Sequence, residues 1–247
     1  MAGHSKWHNI QHRKGAQDAK RGKLFTKLIR EIVVAAKMGD PDTDVNPRLR
    51  AAVDKALGSN MTKDTIQRAI KRGAGGGDDT NMMEMRYEGY GPNGVAIIVD
   101  CLTDNKNRTV ADVRPAFNKY GGNMGATGSV AYLFEKKGII TFSTETNEDA
   151  LMEAAIDAGA MDVIIDEHGT EVITAADDFL TIKDRLTDAG FSATEADSSF
   201  IASTEVTLNL DQAQSLLKMT DALEDLDDVQ HVYTNADIPQ DVIDQME

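Results

Sequence analysis

The residues best suited to chemistry lie in the N-terminal segment, where basic side chains are concentrated. Up to Lys37 this segment has six Lys and three Arg, but only two carboxylates, Asp18 and Glu31. Its net charge is therefore +7, whereas the whole chain carries −15. Lys and Arg at this density neutralise phosphates and release their counterions. The segment is predicted to bind nucleic acid.

The predicted contact residues are basic or aromatic side chains of the N-terminal arm and of two predicted helices. They are Lys6, Trp7, His8, Arg13, Lys14, Lys20, Lys23, Lys27, Arg30, Arg68, Lys71 and Arg72. Trp7 is the only tryptophan, and two interpretations stay open for it. It either anchors the arm to a folded domain or offers a platform on which bases stack.

Metal binding and catalysis find little support in the sequence. His4, His8 and His12 recur every four residues, but no cysteine is nearby and the flanking Lys and Arg disfavour a cation. Cys101 is the single cysteine and lies in an apolar run, where a buried, inert thiol is expected. Because no nucleophile–base pattern or metal signature is present, we expect no cofactor and no enzyme. An enzyme with an acidic cleft is the weakest alternative.

A polar loop, Thr103–Thr109, joins a predicted strand to a predicted helix. It contains Asp104, Asn105, Lys106, Asn107 and Arg108. Asp and Asn favour turns and helix caps, so structure alone could explain the loop. Two cations in an exposed loop would also suit a binding role, and both interpretations stay open.

Three helices are predicted to position the basic residues. The first spans about 18–38, and at about 100° per residue its cations form a stripe beside an apolar face. We call this the basic stripe; it comprises Lys20, Lys23, Lys27, Arg30 and Lys37. Asn46-Pro47 predicts the start of a second helix, and Thr62 can cap a third. A glycine-rich hinge, Gly73–Asp79, follows.

Strands and helices alternate after the hinge. Strands are predicted at 83–88, 95–102 and 129–134, and a helix at 109–120, where Pro115 should cause a kink or a late start. Residues 138–200 then show a complete β-α-β-β-α-β order, which is ferredoxin-like. The strands 205–208 and 229–234 with the helix 211–226 would complete the earlier unit.

The predicted fold class is α+β, with an N-terminal three-helix domain and two ferredoxin-like α/β sandwich domains, one inserted in the other. The predicted domain limits are 1–77 for the basic arm and helical domain, 78–136 plus 203–247 for the outer sandwich, and 137–202 for the inserted one.

The charge is divided unevenly between these parts. Residues 1–72 carry a net +9 and residues 73–247 a net −24. The acidic body either serves solubility or offers a face to basic partners such as ribosomal proteins. The N-terminus has no secretory h-region and no run is long enough to span a membrane, so a cytoplasmic protein is expected. No dimerisation helix is evident, and a monomer is expected.

Several blocks of sequence resemble the YebC/PmpR family. They occur in the family's order and run nearly from end to end. The blocks are Ala2-Gly3-His4-Ser5-Lys6-Trp7, Lys14-Gly15, Phe25-Thr26-Lys27, Asn46-Pro47-Arg48-Leu49-Arg50, Tyr87-Glu88-Gly89-Tyr90-Gly91-Pro92, Thr103–Thr109, and Gly138 after Phe134-Glu135-Lys136-Lys137. Two positions depart from the residues usual in the family, Thr62 and Met161.

The resemblance implies a three-domain fold around a cleft and no catalytic residues. It also implies a cytoplasmic DNA-binding transcriptional regulator, the usual description of bacterial members. A similar mitochondrial protein is a translational activator of cytochrome oxidase, and some bacterial members are assigned to the ribosome at proline-rich stretches. Regulation of gene expression through nucleic-acid binding is therefore predicted, with a ribosome-associated translation factor that binds ribosomal RNA as the alternative.

Overall fold

The structure is a computed structural model that describes residues 17–75, 82–166 and 169–246, with side chains from Gly22 onward. Three helices come first: α1 (Gln17–Met38), α2 (Pro47–Gly58) and α3 (Lys63–Ala74). The predicted caps are present, because Asn46 Oδ1 accepts from the Leu49 N–H at 3.1 Å and Thr62 Oγ1 accepts from the Thr65 N–H at 3.3 Å. The three helices share one apolar core.

Gly73 lies inside α3, although the sequence predicted that the hinge begins there. A Cβ on Gly73 would stand 2.4 Å from the Val33 carbonyl oxygen and 2.9 Å from Ala36 Cβ. The missing side chain therefore lets α3 pack closely against the backbone of α1. The prediction of a hinge is wrong at Gly73, and residues 76–79 of the predicted hinge lie outside the described residues.

Strands and helices alternate through the rest of the described chain. In chain order they are β1 (Met83–Tyr90), β2 (Ala96–Thr103), α4 (Lys106–Lys119), β3 (Asn123–Met124), β4 (Phe134–Phe142), α5 (Glu148–Ala158), β5 (Asp162–Asp166), β6 (Gly169–Ala175), α6 (Phe179–Asp188), β7 (Glu195–Ala202), β8 (Val206–Thr207), α7 (Leu210–Glu224), β9 (Val229–Thr234), β10 (Ala236–Asp237) and α8 (Gln240–Met246).

The predicted fold class is confirmed: a helical part precedes two antiparallel sheets that carry helices. The sheet β5-β6-β4-β7 has the predicted β-α-β-β-α-β order, and α5 and α6 pack on one of its faces. We call it the inserted sandwich. His168 of the predicted β5–β6 turn lies outside the described residues. The finer domain limits stay a prediction.

The other sheet has the order β3-β1-β2-β9, and we call its unit the outer sandwich. Its hairpin β1-β2 occupies the centre, which differs from the ferredoxin-like arrangement predicted for both units. Residues 205–208 do not join this sheet, because β8 pairs with β10, where the Val206 N–H donates to the Asn235 oxygen at 2.8 Å. The helices α4 and α7 cover one face of the sheet and bury Phe117, Leu216 and Met219.

Two further boundaries differ from the sequence-based expectation. The predicted strand at 129–134 is a short 3-10 turn at Ala131–Leu133, and β4 runs without a break from Phe134. The helix predicted from Thr109 begins at Lys106 and continues through Pro115. It starts earlier because Asn105 caps it. No helix among the described residues combines the length and apolar character that crossing a bilayer requires.

Candidate nucleic-acid interface

Three side chains of the basic stripe, those of Lys23, Lys27 and Arg30, face the C-terminal end of α7. Lys23 Nζ lies 2.8 Å from Asp225 Oδ1, and Lys27 Nζ donates to the Glu224 carbonyl oxygen at 2.9 Å. Arg30 donates to the carbonyl oxygens of Asp227 and, at 3.3 Å, of Leu102. The stripe therefore contacts the body of this chain in the structure, rather than standing free in solvent.

The segment that receives the stripe is rich in acceptors, and we call residues 224–228 the acidic segment. Four of its five residues are acidic: Glu224, Asp225, Asp227 and Asp228. It begins with Glu224, the last residue of α7, whose carbonyl lies at the negative end of the helix dipole. Cations at a helix C-terminus are stabilised by this arrangement. The acidic segment thus presents clustered oxygen acceptors, as a phosphate backbone does.

Lys27 is half-buried in this contact. Burial lowers the pKa of its amine below the ordinary value, while the charge of Glu224 opposes that shift. The amine still donates to the Glu224 carbonyl oxygen. Asp225, in contrast, is exposed, so its pair with Lys23 lies open to water and salt.

The polar loop Thr103–Thr109 forms a structural network around Asp228. This buried carboxylate accepts from Thr103 Oγ1 at 3.0 Å, from Thr109 Oγ1 at 2.9 Å and from the Arg108 guanidinium at 2.8 Å. Asn105 caps α4 by accepting from the backbone N–H groups of residues 107 and 108, each at 3.1 Å. Four of the loop's polar groups are therefore held by contacts within the chain.

The third helix presents its cations to solvent. Its buried face consists of Ile66, Ala69, Ile70 and Gly73. Lys63, Arg68, Lys71 and Arg72 are all exposed, and Arg68 pairs with Asp64 one turn earlier. An exposed row of cations on one helix face is the geometry that phosphate contact requires.

Ionic contacts also join α2 to both sandwiches. Arg48 pairs with Glu84 of the outer sandwich, and Lys55 pairs with Asp197 of the inserted one. Lys183 Nζ of α6 reaches back to Asp54 Oδ2 at 2.6 Å. The helical part is held against the body through charged side chains.

Cys101 is buried, as predicted, and burial raises the pKa of its thiol to about 12. A protonated thiol at neutral pH is a poor nucleophile. This agrees with the interpretation of Cys101 as an inert core residue.

Comparison with known proteins accounts for nearly the whole chain. A family model described as the TACO1/YebC protein N-terminal domain matches residues 5–76, and one described as the TACO1/YebC second and third domain matches residues 82–236. The chain belongs to the TACO1/YebC family. The resemblance found from sequence blocks is thereby confirmed.

Relatives in the TACO1/YebC family are similar over their full length. A "Probable transcriptional regulatory protein" of Hahella chejuensis is 60% identical over 247 residues, which cover 100% of this chain and 99% of that protein. "Transcriptional regulatory protein PmpR" of Pseudomonas aeruginosa is 59% identical and covers both chains completely. The crystal structure of a conserved hypothetical protein from Aquifex aeolicus has a TM-score of 0.82 at 45% identity, and covers 90% of this chain and 93% of that one.

Part of the predicted interface of this TACO1/YebC chain falls outside the described structure. Lys6, Trp7, His8, Arg13 and Lys14 lie outside the described residues, as do the three histidines weighed as metal ligands. Lys20 lies on α1, but its side chain is not described. The two interpretations of Trp7 therefore stay open.

The sequence-based prediction missed the acidic segment as the partner of the basic stripe. The signal was present as Glu224-Asp225-Leu226-Asp227-Asp228 at the end of a predicted helix. It was not decisive, because acidic residues are abundant throughout the second part of the chain. Only the fold places this cluster beside α1.

Proposed function

We propose that this chain is a cytoplasmic, monomeric regulator of gene expression that binds nucleic acid, most simply as a DNA-binding transcriptional regulator. The observation that carries the proposal is the exposed cationic face of α3 in the one positive part of a strongly negative chain. The names of two relatives that match over their whole length point in the same direction. The role is binding rather than catalysis.

In this proposal α3 supplies phosphate contacts through Lys63, Arg68, Lys71 and Arg72. The arm residues up to Lys14 and the basic stripe of α1 add further contacts. The outer and inserted sandwiches carry the negative charge and are repelled by the same phosphates. Nucleic acid therefore approaches from the side of the helical part, and its orientation on the chain follows from charge.

A charge-removal series tests the α3 face. Replacing Arg68 and Lys71 together with Ala should weaken binding to a short DNA duplex. The slope of log K against log salt should become shallower by roughly 2, because each lost phosphate contact contributes about 0.9. Fluorescence anisotropy over a range of salt concentrations measures both quantities.

The matched control is the double variant Lys136→Ala/Lys218→Ala, which removes two exposed cations from the acidic body. It should leave the salt slope unchanged. An identical slope for the wild-type protein and the α3 variant would contradict the role of the α3 face. Circular dichroism of each variant verifies that the helices remain folded.

A ribosome-associated translation factor is the second candidate, favoured by the −24 net charge of residues 73–247. A large anionic surface is a poor match to duplex DNA but suits basic ribosomal proteins. Promoter footprinting beside co-sedimentation with ribosomes separates the two. A discrete footprint without co-sedimentation supports the transcriptional role, and the reverse result supports the ribosomal one.

A further inference from the structure

The basic stripe and the acidic segment form an interface between the helical part and the outer sandwich. Its contacts are Lys23 with Asp225, Lys27 with the Glu224 carbonyl, and Arg30 with the Asp227 carbonyl. Arg30 also lies 3.6 Å from Asp228. Each cation meets a carboxylate or a carbonyl at the negative end of a helix, and three successive positions on one face of α1 are matched in this way.

The large apolar cores on the two sides of this interface are separate, although Val34 on the stripe side of α1 and Leu102 of β2 are both buried. The apolar face of α1 packs on α2 and α3, and the core they share contains no residue of either sandwich. Conversely, the core of the outer sandwich contains no residue of α1–α3. The exposed pair between Lys23 and Asp225 is weak and screened by salt, whereas Lys27 and Arg30 are half-buried. Nucleic-acid phosphates offer these cations the same kind of acceptor and can compete with the acidic segment for them.

The length of the chain connection sets the limit of any opening of this interface. Helix α3 ends at Ala74 and β1 begins at Met83, so eight residues join the helical part to the outer sandwich. Eight residues of any chain span at most roughly 28 Å, which is the largest separation that these two ends can reach.

We propose that the acidic segment is an intramolecular phosphate mimic that masks the basic stripe, and that nucleic acid binds by displacing it. The proposal rests on the proposed function, since it takes the stripe as part of the nucleic-acid interface. It adds a regulatory step: the exposed cations of α3 make the first contact, and the stripe is released only when phosphates replace Glu224–Asp228. Because coupling is reciprocal, whatever strengthens the closed contact weakens nucleic-acid binding, by up to the same factor.

The test removes the carboxylate of the acidic segment and leaves every cation in place. Asp225→Asn removes the charged partner of Lys23 without altering α1, and it keeps the Asp225 carbonyl oxygen, to which the amine also donates at 3.2 Å. The affinity for a short fluorescein-labelled DNA duplex should rise by about two- to fivefold at low salt, the range that corresponds to the loss of one exposed pair. Asp157→Asn on α5 is the matched control, because it removes one exposed carboxylate from a part of the body that is distant in sequence from the acidic segment. It should leave the affinity unchanged.

A distance measurement reports the opening directly. Cys101 is buried with a raised pKa, so cysteines introduced at exposed Val45 and Gln214 will carry the dyes selectively. These positions lie on the helical part and on α7. Energy transfer between the dyes should fall when the DNA duplex is added, and the fall should require less DNA in the Asp225→Asn background.

The possible outcomes separate the two proposals. Tighter binding by Asp225→Asn alone, with a loss of energy transfer on binding, supports the masking contact. Equal affinity of all three proteins, with energy transfer unchanged at saturation, overturns masking and leaves the nucleic-acid-binding function intact. Absence of DNA binding in every protein overturns the DNA-binding function and the masking contact together.

Discussion

At the scale of single residues, the sequence predicted which side chains have suitable chemistry for binding. It did not predict which of them are held by contacts within the chain. Asn105 is of a residue type that favours helix caps, but the helix was predicted to start at Thr109, whereas Asn105 caps α4 at Lys106 in the structure. Asp228 was one acidic residue among many, and nothing in its neighbourhood indicated burial. Its partners Thr103, Arg108 and Thr109 lie more than a hundred positions away. Long-range partners of this kind follow from the fold alone.

The network predicts a large cost for altering Asp228. Replacing it with Asn removes the charge that holds two buried hydroxyls and the Arg108 guanidinium. The free energy of unfolding should fall by about 2–3 kcal/mol, because hydrogen bonds to a buried charged group are among the stronger ones. Urea denaturation followed by circular dichroism measures the change.

Asp227→Asn is the neighbouring control. The Asp227 side chain is exposed and its interaction with Arg30 uses the backbone oxygen, which the substitution keeps. Its stability should stay within about 0.5 kcal/mol of the wild type. Equal stabilities for the two variants would argue against a structural role for the polar loop.

At the scale of elements, periodicity predicted the faces of the helices well. The apolar face of α1 and the buried face of α3 are both as the 3.6-residue repeat required. Periodicity states which side of a helix is polar, but not what that side meets. The basic stripe was predicted as a nucleic-acid-binding surface, and this stays a prediction, while its contact with the end of α7 was not foreseeable. Gly73 was misjudged because the tight approach of α1 leaves no trace in local sequence.

The close approach of α1 and α3 predicts that adding one methyl group at Gly73 strongly lowers the stability of the helical part. Gly73→Ala places a Cβ against the Val33 carbonyl and should destabilise the helical part by about 1–3 kcal/mol. Hydrogen exchange of the α1 and α3 amides should quicken accordingly, while exchange in the two sheets stays the same.

Gly58→Ala provides the comparison, since a Cβ at Gly58 would meet no atom within 4 Å. Alanine is favoured over glycine in a helix, so this variant should be as stable as the wild type or slightly more so. Faster exchange of α1 amides in Gly58→Ala, or none in Gly73→Ala, would refute the packing role of Gly73.

At the scale of the whole molecule, two kinds of interface hold the parts together. The inserted sandwich meets the outer one through apolar side chains, among them Ile98, Val130, Phe134 and Phe200. The helical part meets both sandwiches through charged side chains. The insertion was predictable because its β-α-β-β-α-β order interrupts a unit that is still incomplete at that point of the chain. The order of strands in the outer sheet was not predictable, because it depends on pairing between distant segments.

The difference between the charged and the apolar interfaces predicts that salt weakens the first and not the second. Raising the NaCl concentration from about 0.1 M to about 1 M shortens the screening length from about 10 Å to about 3 Å. The ionic contacts at Asp54, Lys55 and Asp225 should weaken, and the radius of gyration from small-angle scattering should increase. The apolar interface should hold, because salt does not weaken hydrophobic burial.

Hydrogen exchange in the same salt series locates the change. Backbone amides in β4 and β7 should keep their protection, whereas the end of α7 should lose some. A constant radius of gyration over the whole salt range would contradict the assignment of the helical part as electrostatically docked.

The topology of the outer sandwich also fixes an order of assembly during synthesis. Strand β2 pairs with β9, and Val229 and Val232 of β9 complete the same core as Val99. All of the inserted sandwich is translated between these two strands. The helical part and the inserted sandwich can each close as soon as their own residues emerge. The outer sandwich, which starts before the inserted one, is necessarily the last of the three to be finished.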